Sequence, residues 1–313
     1  MKTRQSRILI FGAGVIGSTI GGLMSQAGYD VTLLARNARL KELKEKGLLL
    51  QRSNQSKVQR AMVNIISELS ADDIFDFVFI TLRKDQVVQA LPVLAKNKSQ
   101  NFVFMVNNPL GYDEWIHALG YERVIPAFPG SGGKIENGIV HYQIVSKFIQ
   151  PTTIGELNGT KSNRIIQLRK ILSSSGFPVS VSKNMDAWQK THVAMVAPLG
   201  DVIYYDGGNN YSVAKNTLAI KQMNLALKEN FRFLDASGIG IKPAKLKFFQ
   251  IAPLWLLNFS MRLVFNTRWA ETVISNHALN ARSEMKVISY EFVELAKSKG
   301  YELTEFEKLV EVI

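Results

Sequence analysis

Residues 7–12 (RILIFG) form an apolar run closed by a glycine, the pattern of a strand buried on both faces of a parallel sheet. Residues 15–27 then repeat apolar positions at helical spacing, Gly28 supplies a stop, and YDVTLLAR reads as a second strand. The alternation continues through ELKEKGLLLQ, FDFVFITL, the helical DQVVQALPVLA, NFVFMVNN and RVIPAFPG. Strands alternating with helices predict a doubly wound parallel sheet with helices on both faces, an α/β domain. GIVHYQIV, PTTIGELNG and FPVSVS read as strands that close this domain. Beyond Lys183 long helical patterns run to Ile313, broken by the turn signals DGGNN and SGIGIKP. The expected division is therefore an α/β domain over 1–183 and an all-α domain over 184–313.

One segment stands apart from this alternation. KLKFFQIAPLWLLNFSMRLVF, Lys245 to Phe265, is long and apolar with basic flanks. Gln250, Pro253, Asn258 and Arg262 interrupt it, which argues against a transmembrane span. The expectation is a buried helix pair, a homodimer surface or the wall of an apolar pocket, with shallow membrane contact as the lesser reading.

Composition narrows the chemistry. A hydrophobic content of 46% and a charged content of 20% are those of an ordinary globular protein, and 313 residues suffice for two domains. The net charge of +12 favours an anionic partner. Its positive charges are scattered rather than blocked, which argues against nucleic acid. The absence of cysteine excludes disulfides, thiol nucleophiles and thiolate metal sites. His117, His141, His192 and His277 are isolated, so no metal site is expected. The N-terminus MKTRQSRILIFGAG is basic then apolar like a secretory leader, but its apolar run is four residues long before Gly12. It reads as a strand and the protein as cytoplasmic.

The loop Gly12-Ala13-Gly14-Val15-Ile16-Gly17 follows the first strand and opens the first helix. In that setting Gly12 permits a tight turn, Gly14 lets backbone approach a pyrophosphate, and Gly17 lets helix and strand pack closely. The helix N-terminus adds unpaired N–H groups and a positive dipole end. These features predict a Rossmann-type dinucleotide-binding domain. Where an NAD site carries an acid at the end of the second strand, this chain has Ala35 and Arg36, with Arg39 one helical turn later. A guanidinium suits a 2′-phosphate, and NADP(H) is the expected cofactor.

With these residues in place the chain resembles the ketopantoate reductase (2-dehydropantoate 2-reductase) family nearly end to end. VTLLAR fits the N-terminal region of the family, and FVFITLRKDQV is similar to a strand ending in Thr-x-Lys, with Arg83 at the lysine position. VNNPLG looks like the asparagine loop and places Asn108 on the active-site asparagine. TTIGELNG resembles the Ile-Gly-Glu turn at Ile154 to Glu156. WQK fits Trp-x-Lys with Lys190 on the catalytic lysine, and the SEMKVISYEF helix places Glu284 on the substrate-site glutamate. The resemblance implies an NADPH-dependent reductase of a 2-keto acid in pantothenate biosynthesis. Lys190 would be its general acid, Asn108 would position lysine or nicotinamide, and Glu284 would bond Lys190 or a substrate hydroxyl. Arg83 would face cofactor or substrate anions. The chemistry agrees: ketone reduction needs a hydride donor, an acid for the developing alkoxide, and groups that orient the carbonyl.

The match departs beyond the lysine. Family asparagines on the lysine face correspond here to Ala194 and to Ala197 or Pro198, and a family serine corresponds at best to Thr272. Loss of polar contacts at these substrate positions predicts a carbonyl compound bulkier or less polar than ketopantoate. Another hydroxy-acid or opine-type dehydrogenase, and a non-catalytic NADP(H) sensor, remain as alternatives.

Overall fold

The computed structural model describes residues 5–313; the basic Lys2 and Arg4 of the leader-like N-terminus and the side chain of His277 lie outside the described part. The chain divides into two units. One comprises the residues up to Val106 together with Tyr112–Met185, and the other comprises Asn107–Gly111 together with Asp186–Ile313. The boundary between Met185 and Asp186 lies close to the division read from sequence, and the grouping of one loop is additional to it. The loop Asn107–Gly111 groups with the helices rather than with the sheet that precedes it.

The first unit contains strands β1 (Arg7–Phe11), β2 (Asp30–Leu34), β3 (Leu48–Arg52), β4 (Val58–Ala61), β5 (Asn64–Ile66) and β6 (Phe77–Ile80). It continues with β7 (Phe102–Met105), β8 (Val124–Phe128), β9 (Ser131–Glu136), β10 (Ile139–Ile144), β11 (Thr152–Ile154) and β12 (Val179–Val181). Helices α1 (Val15–Gln26), α2 (Asn37–Lys46), α3 (Lys84–Lys96), α4 (Asp113–Leu119) and α5 (Asn163–Ser174) alternate with them. The larger sheet has the order β12-β11-β8-β7-β6-β1-β2-β5. From β5 to β8 every pairing is parallel. The chain lays down β1, β2 and β5 in one direction and then β6, β7 and β8 in the other. Order therefore reverses between β1 and β6, the point at which open α/β sheets bind ligands beyond their strand ends. All residues of β6 (FVFI) and β7 (FVFM) are buried, as central parallel strands require.

A smaller sheet, β4-β3-β10-β9, is the main departure from the expected fold. GIVHYQIV does form a strand, but β10 pairs with β3 and β9 instead of closing the larger sheet. Its residues alternate, with Val140 and Tyr142 buried between more exposed neighbours, which suits a sheet covered on one face only. Helix α1 lies between the two sheets. A β-carbon at Gly21 would meet Ile10 of β1 at 3.0 Å, and one at Gly22 would meet Leu50 of β3 at 2.3 Å. Past β11 the Ile-Gly-Glu turn ends in the buried Glu156, which accepts from Arg164 Nε at 2.7 Å and from the Ser162 hydroxyl. Burial pushes this carboxyl up, but the hydrogen bonds of Arg164 and Ser162 and the guanidinium charge together hold it below its usual range.

The second unit is helical: α6 (Met185–Asp206), α7 (Asn210–Lys215), α8 (Thr217–Ala236), α9 (Phe248–Ile251), α10 (Leu254–Phe265), α11 (Arg268–Ala270), α12 (Asn276–Asn280), α13 (Arg282–Ser298) and α14 (Thr304–Val310). A π-helical stretch at Glu271–Ser275 joins α11 to α12. Asn209 and Asn216 cap α7 and α8 by accepting backbone N–H bonds. The core gathers Val193, Val202, Ile220, Phe231, Ile288, Phe292 and Phe306 from α6, α8, α13 and α14.

Of the alternatives read for segment 245–265, the buried helix pair is not the one found. Within α10 only Leu257 and Phe265 are fully packed away. Among the described residues no single helix is long and apolar enough to cross a membrane, and the pair Ala244–Ile251 and Leu254–Phe265 is bent by 115°.

Candidate active site

The glycine loop is held from beneath and open above. Gly12 has φ +121°, a value that requires glycine, and its carbonyl accepts a 2.8 Å hydrogen bond from Thr81 Oγ1. A β-carbon at Gly17 would stand 1.9 Å from that same carbonyl, so the close approach of α1 to β1 depends on this glycine. Ala13 is buried, and its carbonyl accepts from Ser18 Oγ at 3.0 Å and Arg39 Nε at 3.1 Å. At Gly14 the situation is opposite: a β-carbon there would find nothing within 4 Å. No side chain caps α1 and no acid lies in its first turn, where Val15 and Ile16 are half-buried. Open space beside uncapped N–H groups is what a pyrophosphate needs, so these residues fit a dinucleotide.

Arg36 and Arg39 separate in role. Arg39 is committed to the loop, adding Glu42 at 2.5 Å and Ser18 Oγ at 3.3 Å to its bond with Ala13. Arg36 is exposed just past β2, its guanidinium 6.0 Å from the centre of the Phe11 ring. Arg83, beyond the end of β6, is partly exposed and lies 3.5 Å from Asp85. The adjacent Lys84, which sequence reading passed over, is buried with its ammonium 5.8 Å from the Trp115 ring centre.

In the second unit three pieces of chain converge. Lys190, one turn into α6, is buried with Nζ 2.5 Å from both carboxylate oxygens of Asp186. The carboxylate that holds the lysine is thus Asp186, four residues earlier, and not Glu284. The i, i+4 spacing was visible in DAWQK, but an acid before a lysine on a helix is so common that it carried no signal. Glu284, in the first turn of α13, is also buried, and its Oε1 accepts from Asn107 Nδ2 at 3.3 Å. Asn107 was not singled out by sequence. Its Oδ1 is buried without a hydrogen-bond partner. Asn108 is more deeply buried and donates to the carbonyl of Gly111, closing its own loop. Gly111, at φ +100°, passes so near Asp186 that a β-carbon would lie 3.6 Å from Oδ1. The short loop therefore bonds Glu284 at one end and passes beside Asp186, the partner of Lys190, at the other.

The two substrate positions read from the departures fare differently. Ala194 is fully buried in the helical core with Val193 and Ala197, its carbonyl accepting from Asn230 at 3.3 Å, so it presents no surface to a ligand. A small apolar side chain at this point lets the helices close over it. Thr272 is exposed in the π-helical stretch, and its hydroxyl is spent on the Arg268 carbonyl at 3.0 Å.

The reversed strand order and the open glycine loop together define a dinucleotide-binding protein of the Rossmann class. Residues 8–159 match the model of the family described as ketopantoate reductase PanE/ApbA. That match covers just under half of the chain, and together with the relatives below it supports a divergent member of the ketopantoate reductase family, an oxidoreductase. It is 24% identical over 302 residues to a 2-dehydropantoate 2-reductase of Pyrococcus abyssi, covering 95% of this chain and 93% of the relative. Over 236 residues it is 25% identical to a 2-dehydropantoate 2-reductase of Pyrococcus horikoshii, 72% of this chain and 75% of that one. Among solved structures, a PanE/ApbA family ketopantoate reductase of Ralstonia eutropha superposes with a TM-score of 0.78 at 18% identity, covering 97% and 96% of the two chains. A D-mandelate dehydrogenase solved with NADH and anilino(oxo)acetate gives 0.77 at 18% identity, covering 98% and 96%.

Proposed function

We propose that this chain is an NADPH-dependent reductase of a 2-keto acid less polar than ketopantoate, with Lys190 as general acid. The carrying observation is the loop Asn107–Gly111, which joins Glu284 and the Asp186–Lys190 pair within one unit. When bound, NADPH supplies the hydride that reduces the carbonyl carbon. Gly12 to Gly17 receive the pyrophosphate of the cofactor, Arg36 its 2′-phosphate, and Arg83 an anionic group of cofactor or substrate. Asp186 fixes Nζ of Lys190, which gives its proton to the carbonyl oxygen as negative charge develops there. Asn107 orients the Glu284 carboxylate by the Nδ2 hydrogen bond and keeps Oδ1 for a donor on the ligand. Asn108 acts by holding the loop shut through Gly111.

The lower polarity of the substrate rests on the absence of the family's asparagines at Ala194 and Ala197, which pack into the helical core and leave these positions with no polar group to offer a ligand. The likeness to a D-mandelate dehydrogenase crystallised with an aromatic oxoacetate points the same way. The test is NADPH oxidation with ketopantoate, phenylpyruvate and benzoylformate, by wild type and Lys190→Ala. We expect turnover of an aryl or alkyl 2-keto acid above that of ketopantoate, and a loss of kcat of about 10²–10⁴-fold in the variant with NADPH binding retained. Turnover that survives in Lys190→Ala would remove the lysine from the mechanism. Efficient turnover of ketopantoate alone would remove the altered substrate.

A further inference from the structure

The reductase reading makes no use of the segment between Ala236 and Ala270. Over that stretch the sequence contains no aspartate or glutamate, while Lys242, Lys245, Lys247, Arg262 and Arg268 contribute five positive charges. Within it Trp255, Phe259 and Leu263 of α10 recur every fourth residue and are 69%, 62% and 58% exposed, and Ile251, at the end of α9 before the bend, is 75% exposed. Four-residue spacing puts such side chains along one side of a helix. Phe248 and Trp269 extend the exposed apolar surface at either end.

This stripe is held in place from the opposite side. Leu257 and Phe265 are buried, Asn258 accepts from Asn224 of α8 at 2.9 Å, and Arg262 Nε donates to the Ala214 carbonyl at 3.2 Å. At the bend, Lys228 Nζ donates to the carbonyls of Gln250 at 2.8 Å and Ala252 at 2.5 Å. Helix α10 is thus fixed on α7 and α8 with a large apolar face turned outward, where a surface helix ordinarily carries polar residues.

We propose that the α9–α10 face is a monotopic membrane-binding surface that seats in the interfacial layer of an anionic bilayer. Charge selects this occupant. A second copy packed face to face would set the exposed Lys242, Lys245 and Lys247 against their own kind, with no acid between residues 236 and 270 of either copy, Arg262 being turned to the packed side. Lys247 does have an acid beyond the segment, Asp235 at 3.7 Å, and that pair leaves the excess positive. A bilayer rich in acidic headgroups complements the cations while taking up tryptophan, phenylalanine and aliphatic side chains at the depth they favour. Length agrees: the twelve residues of α10 span about 18 Å, too short to cross about 30 Å of hydrocarbon but suited to lying in the interface.

The experiment uses the full chain and sedimentation with vesicles of phosphatidylcholine alone or mixed with phosphatidylglycerol. Binding to the mixed vesicles only, weakening with salt, is expected. Trp255→Ala with Phe259→Ala should reduce partitioning about tenfold or more. Lys245→Gln should reduce it about fivefold. NADPH binding by each variant, measured in parallel, reports that the variant is folded and is independent of the lipid result. Comparing the two vesicle compositions with wild type alone keeps the test valid if a variant fails to fold. Equal binding to both vesicle types, no binding to either, or a lipid-free dimer abolished by Trp255→Glu would each overturn the proposal.

Discussion

Replacing Gly14 by alanine separates the fold of the glycine loop from its function. The residue sits at φ −71° and ψ −169°, an extended conformation open to any L-residue, and its β-carbon meets nothing within 4 Å. Alanine lowers the entropy of the unfolded chain, which stabilises by about 0.4–1 kcal/mol. As an N-cap it is poorer than glycine by on the order of half a kcal/mol. These effects nearly cancel, and the Tm of the ligand-free protein should move by no more than about 2 °C. The new methyl, however, occupies the space through which backbone N–H groups approach a pyrophosphate. Losing one hydrogen bond to a charged group costs about 1.5–3 kcal/mol, a rise in Kd of roughly ten- to 150-fold. With NADPH at about 100 times the wild-type Kd, ligand stabilisation of about 2.7 kcal/mol would fall to about 0.4 kcal/mol for a hundredfold loss. Thermal unfolding with and without NADPH reads both quantities, and Gly17→Ala serves as contrast because its β-carbon would stand 1.9 Å from the Gly12 carbonyl. Were Gly14→Ala to keep the wild-type ligand shift, the loop would not be the pyrophosphate site. A large drop in its ligand-free Tm would refute the local geometry instead.

Two further substitutions address charge. Arg36→Ala should weaken NADPH by roughly ten- to 150-fold while leaving NADH nearly unchanged, measured by titration calorimetry; an equal loss for both cofactors would show that Arg36 does not read the 2′-phosphate. Asp201, on α6, is fully buried, with Oδ2 accepting from Ser289 at 2.7 Å and Oδ1 without a partner. Burial pushes its carboxyl well above the ordinary 3.8, with the Ser289 bond opposing only in part. The unfolded chain gives up this proton near pH 3.8 and the folded chain keeps it, so stability falls by about 1.4 kcal/mol per pH unit from there up to the folded value. Asp201→Asn, which is neutral and nearly isosteric, should raise Tm more at pH 8 than at pH 4.5, and a gain independent of pH would contradict this account.

Much of the first unit was legible because its signals are local. The runs Ile8–Phe11, FVFI and FVFM are apolar without alternation, and a glycine loop between strand and helix has few other uses. The smaller sheet was not legible: VQRA and SGGKIE are short and polar, each forms a hairpin with its neighbour LLLQR or IVHYQI, and the two hairpins make one sheet only where β3 meets β10 from a distant part of the chain. In the candidate site, Lys190 and Glu284 were named from the order of short sequence matches, whereas Asn107 and Asp186 were not. Nothing about Asn107 in VNNPLG distinguishes it from Asn108 until one side chain is seen turned to Glu284 and the other to Gly111.

By itself, then, the sequence determined the class of domain, the dinucleotide loop and the cation beyond the second strand. Each depends on residue types within one or two turns of chain, where sterics and backbone geometry act directly. Tertiary structure alone decided that Asn107 meets Glu284, that Arg39 serves the loop, and that Ala194 belongs to the core. It likewise left the stripe from Trp255 to Leu263 uncovered, although its composition suits a core. An apolar or charged side chain records only that it needs a partner, and which partner it meets is settled by the packing of elements far apart in sequence.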